Sequence, residues 1–166
     1  MLVEREVILP VPPMRAWKVL TDWERQSLWM LDADEVAVVS PDREGVGVRL
    51  AVRTRLFGIP AFTEPLEVSA WDPPARLAIR HGALVAGTGT WELEPVDAGT
   101  RFRWGEAVSL ELPVVGGIVG LCYRPILRWL MGRAQRRLRA LVIASGPASD
   151  RPSATVPRRG SPARPG

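Results

Sequence analysis

The chain has a single histidine, His81. Three side chains with acid–base chemistry, Glu64, His81 and Glu106, recur at strand spacing among apolar residues. Glu64 shares a face with Phe62, Leu66, Val68 and Ala70. His81 shares one with Leu77 and Ile79, and Glu106 shares one with Phe102, Trp104, Val108, Leu110 and Leu112. Period-two alternation places such residues on one side of a sheet. An ionisable group on an apolar face is costly to bury alone. A neutral imidazole near its usual pKa exchanges protons with a bound ketone or enol when a carboxylate orients it. Glu64, His81 and Glu106 are therefore the candidate catalytic residues. The plainer alternative is that His81, next to a glycine turn, is solvated and Glu64 meets water or an arginine. Glu106 is either paired with an arginine, protonated in an apolar pocket, or outside.

Pairing the hairpins gives a rough map of the inner face. Leu56 opposite Phe62 sets Thr54 opposite Glu64. Ala70 opposite Leu77 sets Leu66 opposite His81, with Glu64 diagonal to the imidazole and within reach. A two-residue turn inside DAGT sets Trp91 opposite Glu106 and Gly89 opposite Val108. On this map Thr54, Glu64 and His81 cluster at the sheet end that bears the loops FGIPA and HGAL, and Glu106 lies toward the other end. Trp91 and Trp104 face inward from central strands, whereas Trp17, Trp23 and Trp29 read as anchors of short helices. Gly87 and Gly89, like Gly116, Gly117 and Gly120, either allow close packing or help make a hollow.

These residues must be held by strands and one long helix. Val3–Leu9 reads as a strand. Pro12 and Pro13 stand where a helix starts, with Ala16, Trp17, Val19 and Leu20 on its apolar side, and WERQSLWML is a second short helix or turn. Further strands run over 34–40, 46–56, 62–71, the LAIRH segment, the stretch from Val85 to Leu93, and the stretch through Phe102 to Leu112. Arg49, Arg53 and Arg55 alternate with Val48, Leu50, Val52, Thr54 and Leu56, which gives a wet face and a buried face. From about Val114 to Ala144 the period becomes helical. Val119, Tyr123, Ile126, Leu127, Leu130, Ala134, Leu138 and Leu141 form the inner stripe, with Arg124, Arg128, Gln135 and Arg139 outside. Pro125 predicts a kink or a late helix start. Candidate ligand-contacting residues are thus Thr54, Leu66, Trp91, Trp104, Tyr123, Leu127 and Leu130. The expected class is α+β: a seven-stranded antiparallel sheet wrapped around a long C-terminal helix, with two short helices between strands 1 and 2.

Composition narrows the chemistry. At 166 residues the chain fits one domain. Its one cysteine, Cys122, excludes an internal disulfide and a Cys-rich metal site, and its one histidine excludes a His-rich one. No metal and no cofactor are expected. VVGGIVG lacks the Lys-Ser/Thr ending of a phosphate loop, and GTG around Thr88 is not a nucleophile elbow. The formal charge is +4, but residues 145–166 supply four arginines against Asp150, so the body carries only +1. That balance argues against specific nucleic-acid binding. The tail has five prolines and no apolar periodicity, and is expected to be disordered. It is a possible weak electrostatic contact for anionic surfaces. The charged start, MLVEREVIL, does not fit a signal peptide, and Pro113–Gly132 carries Arg124 and Arg128, which favours a core helix over a membrane span. A cytoplasmic location is expected, with a 1–144 domain and a 145–166 tail.

The order of elements, with PPMRAWKVLTDWERQSLW, WDPPARLAIRHG and WELEPVDAGTRFRW, resembles the START-like (SRPBCC) superfamily over residues 2 to about 143. It looks closest to the polyketide cyclase/dehydrase and lipid-transport branch. The resemblance implies the helix-grip fold and a cavity for a hydrophobic or aromatic ligand; some members are aromatase/cyclases. FGIPA and HGAL also resemble the gate and latch loops of plant abscisic-acid receptors, which implies that they border the cavity mouth. The leading expectation is a binding protein for a small hydrophobic or aromatic molecule. The alternative is a cyclase/dehydratase-type enzyme that uses the inward His and Glu residues. A third possibility is a non-catalytic interaction domain that uses the basic helix end and tail.

Overall fold

The computed structural model describes residues 1–56, 59–82, 85–110 and 116–145, and the side chains of all of these except 56, 59–61, 85, 110 and 116–123. Seven strands follow in chain order: β1 (Leu2–Leu9), β2 (Ala33–Val38), β3 (Arg49–Leu56), β4 (Ile59–Asp72), β5 (Arg76–Gly82), β6 (Val85–Val96) and β7 (Gly99–Leu110). Helix α1 (Pro13–Leu20) and a 3-10 helix (Trp23–Leu28) connect β1 to β2, and α2 (Gly116–Ala144) closes the domain. The strands form one antiparallel sheet in the order β1-β7-β6-β5-β4-β3-β2. Helix α2 packs on β1 and β7, and the 3-10 helix packs on β2. This is the helix-grip arrangement. The expected 145–166 tail lies, beyond Ser145, outside the described residues.

The alternation that predicts the strands also sets the core. Val48, Leu50, Val68, Leu77, Leu93 and Phe102 are buried, while Arg49, Arg53 and Arg55 are exposed. The outer arginines are satisfied locally: Arg53 and Arg55 reach Asp34 at 3.1 and 2.9 Å. Trp17, Trp23 and Trp29 are buried in the core, as their reading as anchors requires. The helix stripe differs from expectation in detail. Leu127, Ala134 and Leu138 are buried as expected, and so are Met131 and Val142. Ile126 is exposed instead. Gln135, placed outside by the sequence pattern, is buried and donates from Nε2 to the Arg5 carbonyl on β1 at 3.1 Å. A polar side chain that closes a helix–strand contact leaves no trace in hydrophobic periodicity. Pro125 lies inside α2, which continues N-terminally to Gly116.

Three registers depart from the hairpin map, each for a local reason. The β6–β7 turn closes at Val96↔Gly99, one residue earlier than expected, with Gly99 at φ +127°. Trp91 therefore faces Trp104, and Gly89 faces Glu106. The β3–β4 connection is tighter, with Leu56↔Ile59 and a bulge beside Thr54, so Thr54 pairs Phe62 and Val52 pairs Glu64. In β4–β5, Leu66↔His81 is as expected, but an irregularity between Val68 and Ala70 pairs Ala70 with Ala78. The extra residue reverses side-chain parity. It brings the Trp71 ring onto Trp17 and Trp23, with centroids 5.0 and 6.2 Å apart.

Candidate active site

Between α2 and the concave face of the sheet lies a cavity of about 140 Å³. Its apolar lining includes Val52, Phe62, Ile79, Val108 and Met131, and its polar wall holds Asp32, Glu64, His81 and Glu106. Of the expected ligand-contacting residues, Thr54, Leu66, Trp104, Leu127 and Leu130 line it. Trp91 does not. The two-residue change in register places it beneath the cavity, packed on Trp29, Phe102 and Trp104 with centroids 5.8 to 6.4 Å apart. The side chains of Tyr123 and of the FGIPA segment, the surroundings of the glycines at the start of α2, and residues 83–84 of HGAL lie outside the described residues.

His81 is held between two carboxylates. Its Nδ1 lies 3.1 Å from Oε1 of Glu64, the diagonal neighbour expected from the hairpin map. Its Nε2 lies 3.3 Å from Oε2 of Glu106. The second contact corrects the expectation that Glu106 lies toward the far end of the sheet. It crosses from β5 to β7 over β6, and glycines make this possible. His81 pairs with Gly87, and Gly89 pairs with Glu106. A Cβ on Gly89 would sit 2.9 Å from Oε1 of Glu106, so the carboxylate occupies the space a side chain would take. Trp104, two residues earlier on the same face, donates its indole N–H to Oε1 of Glu106 at 2.7 Å. The His81 contact to Oε2 is an ion pair rather than an aligned hydrogen bond, and that buried oxygen has no hydrogen-bond partner.

The fourth polar group, Asp32, was missed in the sequence. It sits in the bend before β2, where its carbonyl accepts the Arg55 N–H at 2.8 Å. The register shift between Ala33 and Glu35 breaks the alternation there, so no periodic signal marks Asp32 as inward-facing. Although the residue as a whole is only half-buried, its carboxyl is enclosed at the cavity wall.

The cluster's electrostatics follow from this geometry. Burial alone would lower the His81 pKa, but Glu106 and Glu64 more than offset it and raise it to about 9. At neutral pH His81 is thus an imidazolium rather than the neutral base expected from an isolated histidine. Burial pushes the Asp32 carboxyl above its usual range, and the Glu106 and Glu64 charges add to this, against opposition from its own backbone N–H and His81. One wall of the cavity thus sets a hydrogen-bond donor, His81, among the carboxyl groups of Asp32, Glu64 and Glu106. Among the described residues no cluster of three or more His, Cys, Asp or Glu side chains has an arrangement that could hold a metal ion. No described helix is long and apolar enough to cross a membrane.

Residues 2–143 match the family model described as polyketide cyclase/dehydrase and lipid transport. The chain belongs to this family. No curated protein matches the chain. Solved structures share the family's fold at low sequence identity. TTHA0849 from Thermus thermophilus is 20% identical, with 89% of this chain and all of that one covered and a TM-score of 0.74. The Zhui aromatase/cyclase from Streptomyces sp. R1128 is 18% identical, with coverages of 90% and 98% and a TM-score of 0.69. Ara h 8.0201 is 16% identical, with coverages of 87% and 98% and a TM-score of 0.62. At these identities the likeness speaks for the fold, and the chemistry rests on the side chains of this chain.

Proposed function

We propose that the protein binds a small, largely apolar ligand in the cavity and anchors the ligand's polar atom on the Glu64–His81–Glu106 cluster. The observation that carries this reading is an apolar chamber with its ionisable groups gathered on one wall, which is how small-molecule sites are usually built. Thr54, Leu66, Trp104, Leu127 and Leu130 supply walls and floor. The volume of about 140 Å³ is close to that of an engineered apolar cavity that takes up one benzene ring. The body of the ligand inside the chamber is therefore about the size of a single ring.

The test is native mass spectrometry of the purified protein beside Leu130→Trp, which fills the chamber. A small molecule retained by the parent and absent from the variant supports the reading. Equal retention by both proteins contradicts it.

A cyclase- or dehydratase-type activity is the second reading, favoured by the gathering of His81, Glu64, Glu106 and Asp32 on one wall of the cavity. Glu106 would take a proton from the carbon beside a ketone, while His81 gives one to the carbonyl oxygen, forming the enol. The enol carbon is then the nucleophile for ring closure. Unchanged turnover of a poly-β-ketone substrate in His81→Ala and Glu106→Ala would exclude these residues as its acid and base.

A further inference from the structure

Helix α2 has two working sides. Leu127, Met131 and Ala134 turn inward to the chamber. Away from it, Ile126, Trp129, Arg133, Arg136, Arg137 and Ile143 are exposed, and the helical repeat sets all six on one face. Trp129 is 56% exposed and is the one exposed tryptophan of the seven; Trp71 is half-buried and the other five are in the core. Ile126, one turn before it, is exposed as well. Charge says what this face suits. Helix α2 holds six arginines and no Asp, Glu or Lys, whereas residues 1–115 hold twelve basic and seventeen acidic residues. The nearly neutral body is therefore a basic helix on an acidic remainder. Arginines of the sheet such as Arg53, Arg55, Arg101 and Arg103 lie within 4 Å of carboxylates. Among the described residues none of the α2 arginines does. Arg133 instead lies over the Trp129 ring, 5.5 Å from its centroid.

We propose that this face of α2 docks on an anionic phospholipid bilayer, with Trp129 at the headgroup level and Arg133, Arg136 and Arg137 on lipid phosphates. A bilayer surface uses both halves of the face: its phosphates meet the arginines, and its headgroup boundary takes the tryptophan and the isoleucines. A second copy laid on it by two-fold symmetry would set arginine against arginine, and RNA would leave Ile126 and Ile143 without partners. The surface is separate from the cavity, and the proposal holds whether or not the chamber takes a ligand. Docked in this way, the chamber lies directly behind the helix, about 10 Å from the lipid.

The test is flotation of the full chain with two vesicles, one of phosphatidylcholine alone and one of equimolar phosphatidylcholine and phosphatidylglycerol. Binding is expected to the second and not to the first. Trp129→Ala should weaken it about tenfold, through the lost burial of an apolar side chain, and Arg133→Gln about fivefold. The dependence on Trp129 should persist in a full chain that carries Arg158→Gln and Arg159→Gln in its basic tail. Anionic-vesicle binding that is indifferent to Trp129→Ala, or that vanishes with the tail arginines alone, would place the contact off α2 and overturn the proposal. Equal binding to both vesicles, or to neither, would overturn it too. Tighter binding to a single-stranded RNA than to the anionic vesicles, or a dimer in light scattering that Trp129→Ala dissociates, would overturn it by naming a different occupant.

Discussion

At the residue scale the centre of the molecule is one imidazole between two carboxylates. The His81–Glu64 half of that arrangement was readable in the sequence, because it needs only one hairpin with the pairing Leu66↔His81. The Glu106 half was not, since it depends on where the β6–β7 turn closes, and DAGT offers two turn positions one residue apart. The arrangement has a consequence for stability. The His81 pKa is raised from 6.5 to about 9 on folding, so the folded state holds a proton that the unfolded chain gives up. The resulting stabilisation is complete below the unfolded value and is lost as pH rises through the folded one. His81 is only 16% exposed, and the shift corresponds to on the order of 3 kcal/mol at most. Unfolding free energies from urea titrations should therefore fall between neutral pH and the range above pH of about 9. Glu106→Gln, which removes one of the two charges that hold the proton, should flatten that slope. An equal slope in parent and variant would show that Glu106 does not stabilise the imidazolium.

At the element scale the site depends on absences. Gly89 leaves the space into which Glu106 folds, and the close approach of Gly87 to the Ala107 carbonyl, at φ +140°, sets the strand beneath His81. In sequence these glycines are legible only as gaps in an inward face; that a carboxylate fills one of them depends on register. Gly89→Ala should displace the Glu106 carboxylate, at a cost of about 1–3 kcal/mol, and weaken ligand binding while the fold persists. Gly87→Ala should cost more, because backbone rather than a side-chain tip stands in its way and its φ is poorly tolerated by other residues. Thermal melts of the two variants test that order. Gln135 is the corresponding case on α2, a buried amide that joins helix to β1. Gln135→Ala should lower stability by about 1–2 kcal/mol through the lost hydrogen bond and packing, where an outward-facing glutamine would cost almost nothing. Chemical denaturation distinguishes the two.

At the scale of the whole molecule, the fold was legible from the order of elements and the change of period, from two residues along β1–β7 to 3.6 along α2. A sheet with one apolar face and a single long amphipathic helix has few other ways to bury both. The size and polarity of the cavity were not legible in this way. Asp32 stands at the chamber wall beside the register shift near Asp34, and a bulge is one unpaired residue with no periodic signature. Because the chamber lies between two layers that hold each other through residues elsewhere, Leu130→Trp should abolish binding of small aromatic probes without lowering the melting temperature. A fall in melting temperature comparable to that of Gly87→Ala would mean that the space is already occupied by packing.

His81 is held as a cation at the wall of the chamber. It is the only histidine in the chain, so its ring gives a single titrating signal, and an NMR pH titration of that imidazole is the most direct measurement. The imidazole should remain protonated through neutral pH with a midpoint of about 9. A midpoint at the ordinary value of about 6.5 would mean that the two carboxylates do not enclose it, and the account of the site would fail.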